Sequence, residues 1–159
     1  MSQRIRNVYL ADGIKGFTDK QVRGWREEAE LMLGNADIDV FSPAKKPLLG
    51  SEQIYFREDL REIRKSDAVL VEYRNRFRNY TGTDMEIFYA YSIGKPVVAF
   101  IGTEEDWVLK CDCGKEHKGQ LPSFWLTQTC DLVVPDMETA IEYIISLNDK
   151  RYPEDYRRN

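Results

Sequence analysis

The sequence predicts an α/β fold in which a doubly wound sheet of about five parallel strands is covered by helices on both faces. Short, nearly continuous apolar runs alternate with longer segments whose apolar residues recur at helical spacing. Strands buried on both faces are apolar at nearly every position, whereas strands with one face in water alternate. Regular alternation of such strands with helices is typical of parallel sheets.

The apolar runs give the strands in order. Each is rich in β-branched or aromatic residues, and turn-forming or charged residues bound it. We expect strands at 5–11 (IRNVYLA), 38–41 (IDVF), 67–73 (DAVLVEY), 96–101 (PVVAFI) and 131–134 (DLVV).

The segments between the strands have the period of amphipathic helices. Thr18 is the expected N-cap of a helix over 19–33. A second helix, 51–66, is expected to direct Ile54, Leu60 and Ile63 inward, and others are expected from Thr83 and over 137–147, with a long loop before the last strand. The apolar stripe of the first helix comprises Val22, Trp25, Ala29, Met32 and Leu33.

This pattern predicts the flavodoxin-like strand order, in which ligands bind beyond the carboxyl ends of the strands near the point where the order reverses. The loops 12–17 and 74–82 and the start of the helix after the third strand should therefore meet. We expect one domain over 1–148, followed by a charged C-terminal tail over 149–159.

Composition excludes several classes of function. The net charge of -4 argues against a broad electrostatic grip on a nucleic acid polymer. No apolar run reaches the roughly 20 residues of a membrane span, and the N-terminus lacks a signal-peptide core. The 3 cysteines do not form an even disulfide set. We therefore expect a cytoplasmic protein that binds neither membrane nor nucleic acid.

Cys111, Cys113, His117 and Cys130 are the residues to weigh as a zinc site. Their C-x-C-x3-H spacing matches no common zinc pattern, so we expect a polar loop and no metal. Since His117 is the sole histidine, the acids and bases of any reaction must come from carboxylates and tyrosines.

Glu86 has two interpretations. Thr83-x-x-Glu86 has the pattern of a capping box, in which the glutamate reaches back to a backbone amide. Alternatively, its carboxylate lies just beyond the third strand, where a ligand is expected. The dipole at a helix N-terminus favours the ionised form, which suits a nucleophile or an electrostatic stabiliser better than a general acid.

Other polar residues also allow two interpretations. Asp59 is either an exposed helix carboxylate paired with a neighbouring arginine or a site residue, and Tyr9 is by default a core aromatic. Asp67 opens the third strand at the far end from the expected site, which indicates a structural role. The run RNRFRN (74–79) is either a solvated loop or a phosphate clamp, because guanidinium groups bind phosphate bidentately.

Three segments in order resemble the nucleoside 2-deoxyribosyltransferase family. They are VYLADGIKGFTDKQ, with a tyrosine and then Phe-Thr-Asp after the glycines; FREDLREIRKSDAVLVEY, with an aspartate eight residues before the strand-opening aspartate; and GTDMEIFYAYSIGKPVV. The resemblance covers most of the chain from Tyr9 to Val98.

The resemblance implies roles for seven residues. Glu86 is implied as the nucleophile that attacks the anomeric carbon, Tyr9 as the residue that orients it, and Asp59 as the proton donor to the leaving base. The residues implied to bind substrate are Gly13, Phe17, Asn79 and Gly82.

Some positions depart from the family pattern. A family aspartate about six residues before the nucleophile falls at Asn79 or Tyr80; we prefer Asn79, which allows one inserted residue. An asparagine that a neighbouring subunit supplies in the family has only Gln120 or Ser123 as loose counterparts.

The resemblance implies an enzyme that moves 2-deoxyribose between purine or pyrimidine bases in nucleoside salvage, through a covalent intermediate on Glu86 and without a cofactor. Its expected partners are a deoxynucleoside, a free nucleobase and further copies of the chain, with sites near subunit interfaces. One alternative is a nucleoside or deoxynucleoside 5′-monophosphate N-glycosidase; another is a non-catalytic nucleotide-binding module.

Overall fold

The computed structural model describes residues 4–12, 19–45, 52–74, 81–103, 109–110, 116–117 and 124–149. The strands in these ranges are β1 (Asn7–Ala11), β2 (Asp39–Phe41), β3 (Ala68–Glu72), β4 (Val97–Phe100), β5 (Leu109–Lys110), β6 (Glu116–His117) and β7 (Leu132–Val134). The helices are α1 (Asp19–Gly34), α2 (Glu52–Lys65), α3 (Thr81–Ser92), α4 (Phe124–Thr129) and α5 (Met137–Ser146), with a 3₁₀ turn over Pro43–Lys45.

The main sheet has the order β2-β1-β3-β4-β7, and every adjacent pair in it is parallel. This confirms the predicted doubly wound fold. The order reverses between β1 and β3, where Tyr9 is opposite Val69 and Ala11 is opposite Val71. The carboxyl ends of these two strands therefore define the crevice in which ligands of such folds bind.

Helices cover both faces of the sheet. Because side chains alternate along a strand, Val8 and Leu10 of β1 pack under α1 and α5, whereas Tyr9 and Ala11 face α2, α3 and α4. Buried side chains such as Leu33 and Ile141 fill the first core, and Ile63 and Ile87 contribute to the second. Tyr9 thus crosses the second core before its hydroxyl reaches a polar environment.

Ile54 was expected to face inward, and the structure shows that this is wrong. Its side chain is 47% exposed, whereas Ile63 is fully buried. The two residues are nine positions apart, which is about two and a half helical turns, so they project from opposite sides of α2.

The expected long loop between β4 and the last strand contains the antiparallel pair of β5 and β6 and the short helix α4. Elements of this length are too short to show a hydrophobic period.

The end of α3 agrees with the sequence: Gly94 adopts φ 75, and the amides of Gly94 and Lys95 donate to the carbonyls of Tyr91 and Ala90.

Carboxylates join the strands at the amino end of the sheet. Oδ2 of Asp67 accepts hydrogen bonds from the amides of Arg6 and Asn7, at 2.8 and 3.0 Å. Oδ2 of Asp131 accepts from the amide of Val97 at 2.8 Å. Asp67 is therefore structural, as expected. Within the described ranges, no helix is long and apolar enough to cross a membrane.

Candidate active site

Glu86 and Tyr9 meet on the α2–α3 side of the crevice. The Tyr9 hydroxyl donates a 2.9 Å hydrogen bond to Oε1 of Glu86, across 77 positions of sequence. Tyr9 is fully buried in β1, and Glu86 is half-buried in the second turn of α3. A rigid strand and a helix therefore fix the position of this carboxylate.

The capping-box interpretation of Glu86 is wrong. Helix α3 begins at Thr81, so Thr83 is an internal helical residue with a buried side chain and is not the N-cap. Glu86 lies one turn further into the helix than a capping box requires. Its carboxylate instead accepts a bond from the centre of the sheet.

Tyr9 remains a neutral donor over the physiological pH range. Burial raises the pKa of its hydroxyl well above the usual value, and the negative charges of Glu86, Asp59 and Glu62 and the hydrogen bond to Glu86 raise it further. Each of these effects disfavours the phenolate. The Tyr9 hydroxyl therefore acts as a hydrogen-bond donor to Glu86 over that range.

Helix α2 supplies two acidic side chains to the same region. Asp59 and Glu62 are half-buried, and the charges of both act on the Tyr9 hydroxyl. They lie three positions apart and so share one side of the helix. The charge of Asp59 thus acts on the hydroxyl that bonds to Glu86. Sequence reasoning missed Glu62, although its spacing from Asp59 is a helical-face signal.

On the α1 side of the crevice, Trp25 is hydrogen-bonded to Asp12 and packs against Phe100. The Trp25 indole N–H donates to Oδ2 of Asp12 at 3.2 Å, and its ring packs edge-on against Phe100, with centroids 5.5 Å apart. Asp12 directly follows β1 and is 7% exposed. Trp25 was expected on the apolar stripe of α1. Its hydrogen bond to Asp12 could not be predicted from the sequence, because it joins two different elements of the fold.

Arg26 is the second functional candidate that the sequence did not reveal. It is 3% exposed, and its guanidinium lies 5.0 Å from the Trp25 ring centroid. Nη1 donates to the Val22 carbonyl at 2.6 Å and Nη2 to the Asp12 carbonyl at 3.2 Å. The available signal was an arginine within the apolar stripe of α1, next to Trp25 and four positions after Val22.

Arg74 is held by Glu72 at the end of β3. Nε and Nη2 of Arg74 donate to Oε2 of Glu72 at 2.8 and 2.6 Å, and the Arg74 amide donates to Oε1 at 2.7 Å. The guanidinium also lies 5.1 Å from the Phe100 ring centroid. Two of its N–H groups are thus engaged, which weakens the phosphate-clamp interpretation of this arginine.

Gly82 lies in the first turn of α3, where a Cβ atom would have no neighbour within 4 Å. The other predicted substrate-binding residues, Gly13, Phe17 and Asn79, are outside the described residues, as are Tyr80, Gln120, Ser123, Cys111 and Cys113. Cys130 is buried in the second core. Among the side chains that the structure describes, no group of three or more His, Cys, Asp or Glu residues is suited to a metal ion.

The geometry on the α2–α3 side is suited to attack on an electrophilic carbon. A fixed carboxylate accepts a hydrogen bond from a neutral hydroxyl, and a second carboxyl group lies on the adjacent helix. Paired carboxyl groups of this kind serve glycosidic bond cleavage, one as nucleophile and one as acid.

A sequence profile described as nucleoside 2-deoxyribosyltransferase matches residues 8–142. The chain belongs to this family. The match confirms the resemblance seen in the sequence and identifies an enzyme that acts on nucleosides, as a transferase or a glycosidase. No curated protein sequence gives a significant match.

Solved structures support the same fold for this deoxyribosyltransferase-family protein. A 2-desoxiribosyltransferase from Leishmania mexicana superposes with a TM-score of 0.67 at 20% identity, covering 89% of this chain and 97% of that one. A CMP N-glycosidase from Clostridium botulinum gives a TM-score of 0.56 at 14% identity, covering 87% and 97%. At these identities the structures show a shared fold only.

Proposed function

We propose that the enzyme transfers 2-deoxyribose from a deoxynucleoside to a second nucleobase, as a step of nucleoside salvage. The observation that carries the proposal is the hydrogen bond from Tyr9 to Glu86 at the carboxyl edge of β1. Family membership supports a nucleoside as substrate, and the carboxylate held by Tyr9 supports a nucleophilic mechanism.

In the first step, a Glu86 carboxylate oxygen bonds to the anomeric carbon as the bond from that carbon to the base nitrogen breaks. The electron pair of the broken bond passes to the leaving base. The Tyr9 hydroxyl orients the carboxylate through its bond to Oε1. Such a covalent intermediate divides one difficult displacement into two easier ones.

Asp59 donates the proton that the leaving base needs, directly or through water. In the second step a nitrogen of the incoming base attacks the anomeric carbon, its proton passes to Asp59, and Glu86 is released as carboxylate. Two displacements at one carbon give net retention of configuration. General acid catalysis of this kind contributes roughly 10² to 10⁴ in rate.

Hydrolysis is the second candidate, because water could replace the incoming base at the same intermediate. The CMP N-glycosidase from Clostridium botulinum shares the fold. A 5′-monophosphate substrate requires a phosphate-binding site, however, and the Arg74 head group is bonded to Glu72. This contact argues against Arg74 as the phosphate ligand, and Arg76 and Arg78 lie outside the described residues.

Self-association of the enzyme is expected from its apolar surface. Met85 and Phe88 of α3 and Trp125 of α4 are exposed, and Phe88 packs against Tyr91 with ring centroids 6.3 Å apart. Contiguous exposed apolar side chains mark interaction sites. Because Met85 precedes Glu86, a second copy on this surface would border the site. Sedimentation showing only monomer would contradict this expectation.

The deciding experiment is a chromatographic assay of thymidine or deoxyinosine, with and without free adenine. The wild type is compared with Glu86→Ala and with Glu142→Gln, which removes an exposed carboxylate from α5. We expect deoxyadenosine to form with the wild type and with Glu142→Gln, and not with Glu86→Ala.

Two other results would change the assignment. Free base released at the same rate with and without adenine would make the enzyme a hydrolase. Undiminished transfer by Glu86→Ala would remove Glu86 from the mechanism. If deoxynucleosides are inert, turnover of deoxynucleoside 5′-monophosphates would identify the nucleotide N-glycosidase instead.

A further inference from the structure

Tyr73 joins the end of β3 to helix α3. Its hydroxyl donates a 2.9 Å hydrogen bond to Oδ1 of Asp84, in the first turn of that helix. The Tyr73 amide donates to the carbonyl of Phe100 at 3.0 Å, which extends the pairing of β3 with β4 by one residue. The Tyr73 side chain also packs against the second core. The sheet therefore fixes the side chain that holds Asp84.

Helix α3 is thus bonded to the sheet by two tyrosines. Tyr9 of β1 donates to Glu86, and Tyr73 donates to Asp84. Tyr9 is opposite Val69, and Tyr73 lies four positions beyond Val69, so both tyrosines face the same side of the sheet. The two donors belong to the pair of neighbouring strands between which the strand order reverses.

The two carboxylates project from different sides of α3. Asp84 and Glu86 are two positions apart, and successive helical residues are rotated by about 100°, so their side chains point about 160° apart around the helix axis. A single hydrogen bond would let the helix turn about its point of contact. Two bonds on different sides oppose rotation in both directions.

A small rotation of α3 would displace the Glu86 carboxylate. A side-chain tip about 5–6 Å from the helix axis moves about 1 Å when the helix turns by about 10°. A misplacement of about 1 Å can cost roughly 100-fold in rate. The contacts of Ile87 and Ala90 with the second core are apolar and non-directional, so they do not fix such a rotation as hydrogen bonds do.

We propose that Tyr73 and Asp84 are positioning residues of this site: their hydrogen bond fixes the rotation of α3 and thereby the direction in which the Glu86 carboxylate faces. The inference rests on the proposed function of Glu86 as nucleophile. Tyr73 and Asp84 act through the helix and need not touch the substrate.

Other contacts of α3 limit the expected effect. Tyr9 still holds Glu86 when the Tyr73–Asp84 bond is lost. In addition, Nε of Arg64 in α2 donates to the Tyr89 hydroxyl at 3.0 Å, about one turn beyond Glu86. We therefore expect a loss of about tenfold in rate, smaller than the loss from a full 1 Å misplacement.

The test is steady-state kinetics of base exchange with variants that remove the bond from either side. Tyr73→Phe removes the donor and keeps the ring, and Asp84→Ala removes the acceptor, whereas Asp84→Asn keeps an acceptor oxygen. The matched control is Tyr143→Phe, which removes a hydroxyl from a half-buried tyrosine of α5, on the other face of the sheet.

We expect kcat to fall about tenfold in Tyr73→Phe and in Asp84→Ala, with KM within about twofold of wild type, because a misdirected nucleophile weakens the transition state alone. The double variant should lose no more than either single variant, since each removes the same bond. Asp84→Asn should recover most of kcat, and Tyr143→Phe should match wild type.

Full kcat in a folded Tyr73→Phe protein would overturn the inference, and lower stability with unchanged kcat would show a structural role only. Losses that multiply in the double variant would also overturn it, since the two residues would then act separately. If Asp84→Ala does not fold, Tyr73→Phe and Asp84→Asn decide the question. Failure of the proposed function appears differently, as undiminished activity of Glu86→Ala, and would remove the basis of this inference as well.

Discussion

The two ends of the central sheet use carboxylates in different ways. At the amino end, Asp67 and Asp131 accept hydrogen bonds from backbone amides of neighbouring strands. At the carboxyl end, Glu86 and Asp12 accept from the side chains of Tyr9 and Trp25. A carboxylate bonded to backbone amides fixes strand register, whereas one bonded to a side chain can exchange partners when a substrate arrives.

This difference predicts which substitutions affect stability and which affect activity. Acids at the amino end should change the free energy of unfolding and leave the chemistry intact. Glu86 and the Tyr9 hydroxyl, at the carboxyl end of β1, should affect kcat/KM more than they affect the free energy of unfolding. Active sites commonly hold groups that are not optimised for stability.

Tyr9→Phe should have the largest effect of the variants that test this contrast. It removes the one donor that β1 directs at Glu86, and a hydrogen bond to a charged group is worth about 1.5–3 kcal/mol, or roughly 10- to 100-fold in kcat/KM. Steady-state kinetics of base exchange checks this. Activity within twofold of wild type would show that Glu86 is oriented by other groups.

The same variant has a pH signature in stability. Because the pKa of Tyr9 is raised in the folded state, its contribution is complete below the unfolded pKa of about 10 and is lost as pH rises above it. The difference in unfolding free energy between wild type and Tyr9→Phe should therefore fall above about pH 10. Urea titrations at successive pH values measure this difference; a difference that does not change with pH would contradict the burial account.

Asp67→Ala tests the amino end of the sheet. The loss of two hydrogen bonds to a carboxylate should lower the free energy of unfolding by about 2 kcal/mol, with kcat/KM unchanged. Asp67→Asn keeps one acceptor oxygen and should lose less. A large loss of activity in a folded Asp67→Ala protein would contradict the assignment of stability to the amino end of the sheet and activity to its carboxyl end.

Asp136 tests whether the bonding partner of a carboxylate matters more than its position in the sheet. It follows β7 at the carboxyl end of the sheet, yet its side chain accepts a hydrogen bond from a backbone amide. It is the N-cap of α5, where its side chain accepts from the Thr139 amide at 2.7 Å. Asp136→Ala should lower the free energy of unfolding by about 1 kcal/mol and leave activity unchanged. Chemical denaturation and the base-exchange assay check the two parts.

The Asp136 contribution should also depend on pH. The Thr139 amide lowers the pKa of Asp136, so the contribution is present above the unfolded value of about 3.9 and is lost as pH falls through the folded value. Asp136→Ala and wild type should therefore converge in stability at acid pH. Convergence at alkaline pH instead would contradict the capping role.

Gly82→Ala should give the smallest change, with opposite signs in the two measurements. A methyl group there meets no protein atom, so the substitution should raise the free energy of unfolding by about 0.5 kcal/mol. If the substrate occupies that space, the methyl group should raise KM several-fold. Thermal melts and kinetics test the two effects. An unchanged KM would place the substrate away from α3 at this position.

Much of the fold could be predicted from the sequence because its strands are buried on both faces. The apolar run at 96–101 contains β4 at Val97–Phe100, and 67–73 contains β3 at Ala68–Glu72. Thr83 was misplaced because a threonine three residues before a glutamate has the capping pattern even when the helix has already begun. Local patterns do not determine where a helix starts after an irregular loop.

The residues of the candidate site could likewise be predicted only in part from the sequence. Motif resemblance pointed to Glu86, Tyr9 and Asp59, which the fold brings together from α3, β1 and α2. Arg26 and Glu62 had only weak helical-face signals, since their significance depends on which groups of other elements face them. Distances between elements remote in sequence supply that information.

The most direct test of the account is to identify the residue that carries the sugar. The enzyme would be incubated with a 2′-fluoro-substituted deoxynucleoside, whose electron-withdrawing fluorine slows turnover of an oxocarbenium-like step, and examined by intact mass spectrometry and peptide mapping. The account predicts one added fluorodeoxyribosyl group on the peptide containing Glu86, absent in Glu86→Gln. A sugar on another residue, or turnover of the probe with no covalent species, would contradict the assignment of Glu86 as nucleophile.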